Sequence, residues 1–107
     1  MYYTYMLRCE DSSIYTGMTN NIDRRICAHK NKTGAKYTKS HKPIKLEIAW
    51  SSKDKSLACK LEAYIKQLSK KEKENLIIDK KLVKYLKGKV DCRRYRYVNI
   101  NYRSINL

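Results

Sequence analysis

Tyr2-Tyr3-Thr4-Tyr5-Met6-Leu7-Arg8-Cys9 leads through the polar stretch Glu10-Asp11-Ser12-Ser13 into Ile14-Tyr15-Thr16-Gly17-Met18. Two runs rich in Tyr, Thr and aliphatic residues around a short polar link predict a β-hairpin. Its register sets which side chains share a face. A two-residue turn at Asp11 and Ser12 pairs Tyr15 with Arg8 and puts Tyr5 and Tyr15 on opposite faces. A three-residue loop from Asp11 to Ser13 pairs Tyr15 with Cys9, and alternation then gathers Tyr5, Cys9 and Tyr15 on one face. Only the second register lets the two tyrosines act together.

Downstream of the hairpin, Asn20 or Asn21 can cap a helix running to about Lys30, with Asp23 well placed in its first turn. Helical spacing makes Ile22 and Ile26 the buried stripe, with His29 between them, Arg25 at the margin and Arg24 on the solvated side. Residues 31–42, NKTGAKYTKSHK, form a basic polar loop closed by Pro43. Alternating apolar residues from Ile44 to Trp50 predict a third strand. A second helix fits Lys53 to Leu68, with Leu57, Leu61, Tyr64, Ile65 and Leu68 on one face and Glu62 on its flank. Ser69 to Glu72 is a capping box that starts a third helix. Beyond about Asp79 the character changes, and RRYRYVNINYRSINL alternates Arg and Tyr without a helical stripe. That tail reads as an edge strand or as a segment ordered by a partner.

The charge points to a polyanion. With 25 Lys and Arg against 10 Asp and Glu, the 107-residue chain carries +15, far beyond what solubility requires. Residues 80–107 hold 9 basic and 1 acidic side chains, about half of that excess. The length suits one compact domain. No stretch approaches the roughly 18 apolar residues of a membrane span, and the opening residues lack the pattern of a signal peptide, so a cytoplasmic protein with no membrane association is expected. Cys9, Cys27, Cys59 and Cys92 are far apart and without His at ligand spacing, which suggests reduced thiols and no zinc site.

Taken together, these elements resemble the GIY-YIG nuclease superfamily, and most of all its small stand-alone bacterial members. The first motif is similar to Tyr3-Thr4-Tyr5, of which the last residue is kept, and the second to Tyr15-Thr16-Gly17, with the middle residue changed. NNIDRRICAH, residues 20–29, resembles the family helix that supplies an Arg and, four residues on, a His or Tyr. GAKYT (34–38) and LEAYIKQLSKKEKE (61–74) resemble the stand-alone subgroup. The likeness covers roughly residues 2–78. It departs at Tyr3 and Ser12, where relatives carry glycine, and has no clear counterpart of a downstream Asn. It implies an α/β (α+β) sandwich, a three-stranded, mostly antiparallel sheet flanked by helices, in a nuclease-like domain over residues 1–79. Residues 80–107 would form a basic Tyr/Arg-rich extension. It further implies Tyr5, Tyr15, Arg25, His29 and Glu62 as the catalytic set, with a single divalent metal, Mg²⁺ or Mn²⁺, on Glu62.

The chemistry of these side chains agrees with that expectation. Phosphodiester hydrolysis needs an activated water, charge neutralisation and help for the leaving oxygen. Glu62 can hold a hard cation that keeps most of its waters. Tyr15 or Tyr5 can accept the water's proton, Arg25 can fork onto the phosphate, and His29 can orient a tyrosine or water. In the basic loop, Lys36, Lys39 and Lys42 can contact DNA phosphates and Tyr37 can stack on a base. Singly, each of these residues has an ordinary reading as a strand tyrosine, a core histidine or a solvated helical charge. The set in its order favours a metal-dependent DNA endonuclease of low sequence specificity, directed to branched or damaged DNA. The alternative is a basic module that binds nucleic acid on the same fold without cutting, but such a module has no use for Glu62.

Overall fold

The computed structural model describes residues 1–30 and 42–98, with the side chains of His29 and Lys30 excluded. Strands β1 (Tyr2–Cys9), β2 (Ile14–Thr19), β3 (Pro43–Ser52) and β4 (Arg96–Tyr97) form one antiparallel sheet in the order β2-β1-β3-β4. Helices are α1 (Ile22–Lys30), α2 (Lys55–Lys66), α3 (Lys70–Asp79) and α4 (Leu82–Leu86), followed by a 3₁₀ turn at Cys92–Arg94. The α+β sandwich expected from the sequence is present, with four strands among the described residues in place of three. Its extra strand comes from the Arg/Tyr-rich tail, where Tyr97 pairs with Trp50 and Arg96 with Ser51.

The hairpin takes a register that neither sequence-based alternative proposed. Tyr15 pairs with Leu7 and Gly17 with Tyr5. The loop is three residues long but sits one residue earlier, over Glu10, Asp11 and Ser12. The Cys9 N–H donates to the Ser13 carbonyl at 2.9 Å, and the Ser12 N–H donates to the Cys9 carbonyl at 2.9 Å. Ser12 closes the loop at φ 70°, the left-handed conformation that this loop type gives to glycine. Moving the loop by one residue moves the pairing by two, so Tyr5 and Tyr15 still share a face.

Alternation along β1 feeds two cores. Met6, with Ile48 and Trp50 of β3, packs on Leu61 and Ile65 of α2, Leu76 of α3, and Leu82, Leu86, Val90 and Tyr95. On the other face Tyr5, Leu7, Leu46 and Ala49 meet Ile22 of α1, with Tyr3, Tyr15, Ile26 and Val98 around them. Sequence-local signals set the helix starts. Asn21 Oδ1 accepts from the Arg24 N–H at 3.0 Å, Asp54 Oδ1 accepts from the Leu57 N–H at 2.8 Å, and Ser69 with Glu72 closes the capping box. The Asp54 cap and the break before Ser69 hold α2 to Lys55–Lys66, shorter than the span its apolar stripe suggests.

Two buried hydroxyls tie α2 down. Thr4 donates to the Ala58 carbonyl at 3.0 Å, and Tyr95 donates to the Leu57 carbonyl at 2.6 Å. Arg8 forks onto Glu74 of α3 at 2.6 and 2.5 Å and also donates to Glu47 at 3.0 Å. Among the described residues no helix is long and apolar enough to cross a membrane.

Candidate active site

Gly17 is the pivot of the site. It lies opposite Tyr5 in the hairpin, and the Tyr5 ring leans across it. A Cβ built there would come within 2.7 Å of Tyr5 Oη and 2.9 Å of Tyr15 Cε2, so any side chain would evict the tyrosines. Gly17 is therefore required by close approach. Across this gap the Tyr5 and Tyr15 rings lie 6.2 Å apart and are tilted at 48°.

Charges reach this pair from both sides of the sheet. Arg25 comes from α1 and is half-buried, while Arg24 is exposed, as the helical stripe predicts. Glu62 comes from α2 with a side chain 21% exposed. Its Oε2 pairs with Lys66 Nζ at 3.2 Å. Burial is the main cause pushing the Tyr5 hydroxyl far above the usual tyrosine range. The neighbouring Tyr15 phenol adds to the shift, Arg25 opposes it, and a hydrogen bond with Tyr15 and the charge of Glu62 reinforce it. Tyr5 is thus held as a neutral hydroxyl.

The outer edge of β2 carries two hollows rich in cations. One, of about 240 Å³, is lined by Tyr2, Met18, Thr19, Asn20, Arg25 and Lys55. The other, of about 290 Å³, is lined by Ile14, Tyr15, Thr16, Lys66 and Lys73. Sequence reading missed Lys55, Lys66 and Lys73 as neighbours of the site. The one available signal was the four-residue spacing from Glu62 to Lys66, which marks an ion pair on a helix. His29 lies in α1 four positions after Arg25, and its side chain is outside the described residues. Lys36, Tyr37 and Lys39 also fall outside them. Lys42 is exposed, and its backbone carbonyl accepts from the Glu10 N–H at 2.7 Å, next to the hairpin loop.

Residues 1–75 match the GIY-YIG catalytic domain. The chain belongs to the GIY-YIG family. A UPF0213 protein of Fusobacterium nucleatum is 53% identical over 76 residues, covering 71% of this chain and 76% of that protein. One from Clostridium perfringens is 45% identical over 82 residues, covering 77% and 88%. Among solved structures, the solution NMR structure of a UPF0213 protein from Bacillus halodurans is 42% identical, covers 73% of this chain and 84% of that one, and has a TM-score of 0.48. GIY-YIG domains form a nuclease family that acts on DNA and in general uses a divalent metal. The match takes in both tyrosines, Gly17, Arg25, His29 and Glu62.

The described residues contain no cluster of three or more His, Cys, Asp or Glu. Glu62 nevertheless suits a hard, strongly hydrated cation. Its carboxylate is half-buried beside the tyrosine pair, and its only partner among the described residues is Lys66 on Oε2, which leaves Oε1 uncommitted. One carboxylate oxygen is enough for an ion that retains several waters.

Proposed function

We propose that the chain is a metal-dependent DNA endonuclease of the GIY-YIG type, acting in the cytoplasm and directed by DNA structure or of low sequence specificity, as in repair or recombination. The observation that carries this reading is the Tyr5 hydroxyl seated over Gly17 beside Tyr15, with Arg25 and Glu62 acting on it from opposite layers. Tyr15, half-buried at the β2 edge, accepts the proton of the attacking water. Tyr5 stays protonated and holds Tyr15 or that water by hydrogen bonding. Arg25 forks onto the phosphate as its charge grows, which a lysine does less well. His29, one helical turn on, orients the water or a phenol. Glu62 holds Mg²⁺ or Mn²⁺, which when bound supplies positive charge at a phosphate oxygen. Lys36, Tyr37, Lys39 and Lys42 grip the substrate strand, residues 1–79 forming the nuclease domain and 80–107 its basic extension.

The test is cleavage of supercoiled plasmid and of a branched duplex with Mg²⁺, Mn²⁺ or EDTA, alongside Glu62→Gln. Cutting is expected with metal and absent in EDTA, and the variant should lose at least about a hundredfold in rate while still binding DNA. Tight binding without cutting by the native chain would convert the reading to a non-catalytic nucleic-acid-binding module.

A further inference from the structure

Beyond the matched residues, the tail closes a cleft against Trp50 of β3. It has a volume of about 640 Å³ and lies against β4. Tyr97, with the buried Trp50 and Tyr95 behind it, contributes its aromatic wall, while Lys80, Lys81 and Lys84, all exposed, form its lip, Lys84 also pairing with Asp79 at 3.4 Å. The sheet order puts this cleft and the β2 edge at opposite sides of four strands, roughly 14 Å apart at a spacing of about 4.8 Å. The two places are separate.

The lip carries a telling residue. Lys80 caps α3 in the left-handed conformation, φ 61° and ψ 22°, where glycine or asparagine is unstrained. Its ammonium sits 5.8 Å from the centre of the Tyr97 ring. Capping alone would be served better by glycine, so the position holds a cation over an aromatic wall at the expense of backbone comfort. An aromatic, apolar hollow with a cationic rim complements a ligand that is flat and apolar on its faces and anionic along its backbone. Unpaired nucleotides have that character, whereas the bases of intact duplex are already stacked.

We infer that this cleft binds single-stranded DNA, with a base against Tyr97 and the flanking phosphates on Lys80, Lys81 and Lys84. The inference rests on the nuclease reading for its choice of DNA, and it would direct that nuclease to DNA carrying an unpaired segment.

Trp50 is the chain's single tryptophan and lines the cleft, so its fluorescence reports binding there. The experiment titrates the full chain with a short oligothymidylate in EDTA, so that nothing is cut. Trp50 emission should be quenched in step with binding. Lys80→Gly should melt no lower than the native chain yet bind about fivefold more weakly, and Tyr97→Leu, which keeps an apolar side chain, about tenfold more weakly. Lys71→Ala, removing an exposed lysine of α3, should change affinity by no more than about twofold.

Native affinity in both cleft variants would overturn the inference, as would an equal loss in Lys71→Ala or binding that leaves Trp50 emission unchanged. So would loss of self-association in place of DNA binding, which would assign the cleft to a second copy of the chain. Quenching by a chain that cuts nothing would sink the nuclease reading and leave the cleft standing. Cutting with no single-strand binding would do the reverse.

Discussion

The two faces of the sheet are built from the same strands to opposite specifications. On one, Met6, Ile48 and Trp50 lie under three helices in a core of aliphatic and aromatic side chains. On the other, Tyr5, Leu7, Leu46 and Ala49 are covered by α1, whose described apolar contacts are Ile22 and Ile26. The first face buries volume and is mostly apolar, its Thr4 and Tyr95 hydroxyls being satisfied by backbone carbonyls of α2. The second must hold phenols, which need polar neighbours and access from the β2 edge. A heavily packed face lets the other remain thinly covered, because a domain's stability need not be spread evenly.

That contrast can be broken at several points. Leu61→Ala, in the packed face, should lower unfolding free energy by about 3 kcal/mol in denaturant titrations while leaving DNA cleavage per folded molecule nearly unchanged. A matching loss of cleavage would show that the faces are not independent. Gly17→Ala should cost about 2 kcal/mol, since a new Cβ must displace Tyr5 and Tyr15, and cleavage should fall further than the melt alone accounts for.

Tyr5→Phe should cost about 1 kcal/mol, well below Leu61→Ala, and should change the alkaline limb of stability. The folded chain holds Tyr5 above the ordinary tyrosine range. Its contribution is thus complete below about pH 10, where unfolded tyrosine begins to ionise, and is lost as pH rises beyond that. Wild type should destabilise more steeply above pH 10 than the Phe variant, and parallel curves would show that Tyr5 is not buried as described. Smallest is Ser12→Gly at the hairpin loop, expected to raise stability by up to about 1 kcal/mol by relieving a left-handed serine. A loss there would mean that the Ser12 side chain contributes something beyond closing the loop.

Much of this architecture was legible in local chemistry. Asn21 and the Ser69–Glu72 box mark helix starts because capping uses neighbours a few residues away, whereas the Asp54 cap went unread and α2 begins at Lys55, two residues after the expected Lys53. Whether Tyr5 and Tyr15 share a face turned on the loop, because the two registers open to the sequence have opposite parity, and the observed pairing keeps the parity of the three-residue loop. The loop itself was misplaced because its left-handed position holds Ser12, without the glycine that would have announced it. Strand β4 is the edge strand that was one of two readings of the tail, but helix α4 was illegible for a different reason. In KKLVKYLKGKV the lysines dominate the pattern, and only the packing of Leu82, Leu86 and Val90 against α2 and α3 makes that segment part of a core. The cations at the β2 edge were hidden likewise, since Lys55, Lys66 and Lys73 converge there only once the helices are in place.

The brevity of β4 has a consequence for how the protein behaves in company. Its two residues, with the Val98 N–H reaching the Ala49 carbonyl at 2.9 Å, occupy the outer side of β3 where Ala49, Trp50 and Ser51 would otherwise offer a bare edge. An uncovered edge beside a large apolar side chain is a template for strand-to-strand polymerisation, whereas a two-residue strand bearing Arg96 is too short and too charged to recruit a further copy. A chain ending at Asp79 would therefore bare that edge together with the core side chains that Leu82, Leu86, Val90 and Tyr95 cover, and light scattering should rise with concentration as it loses solubility.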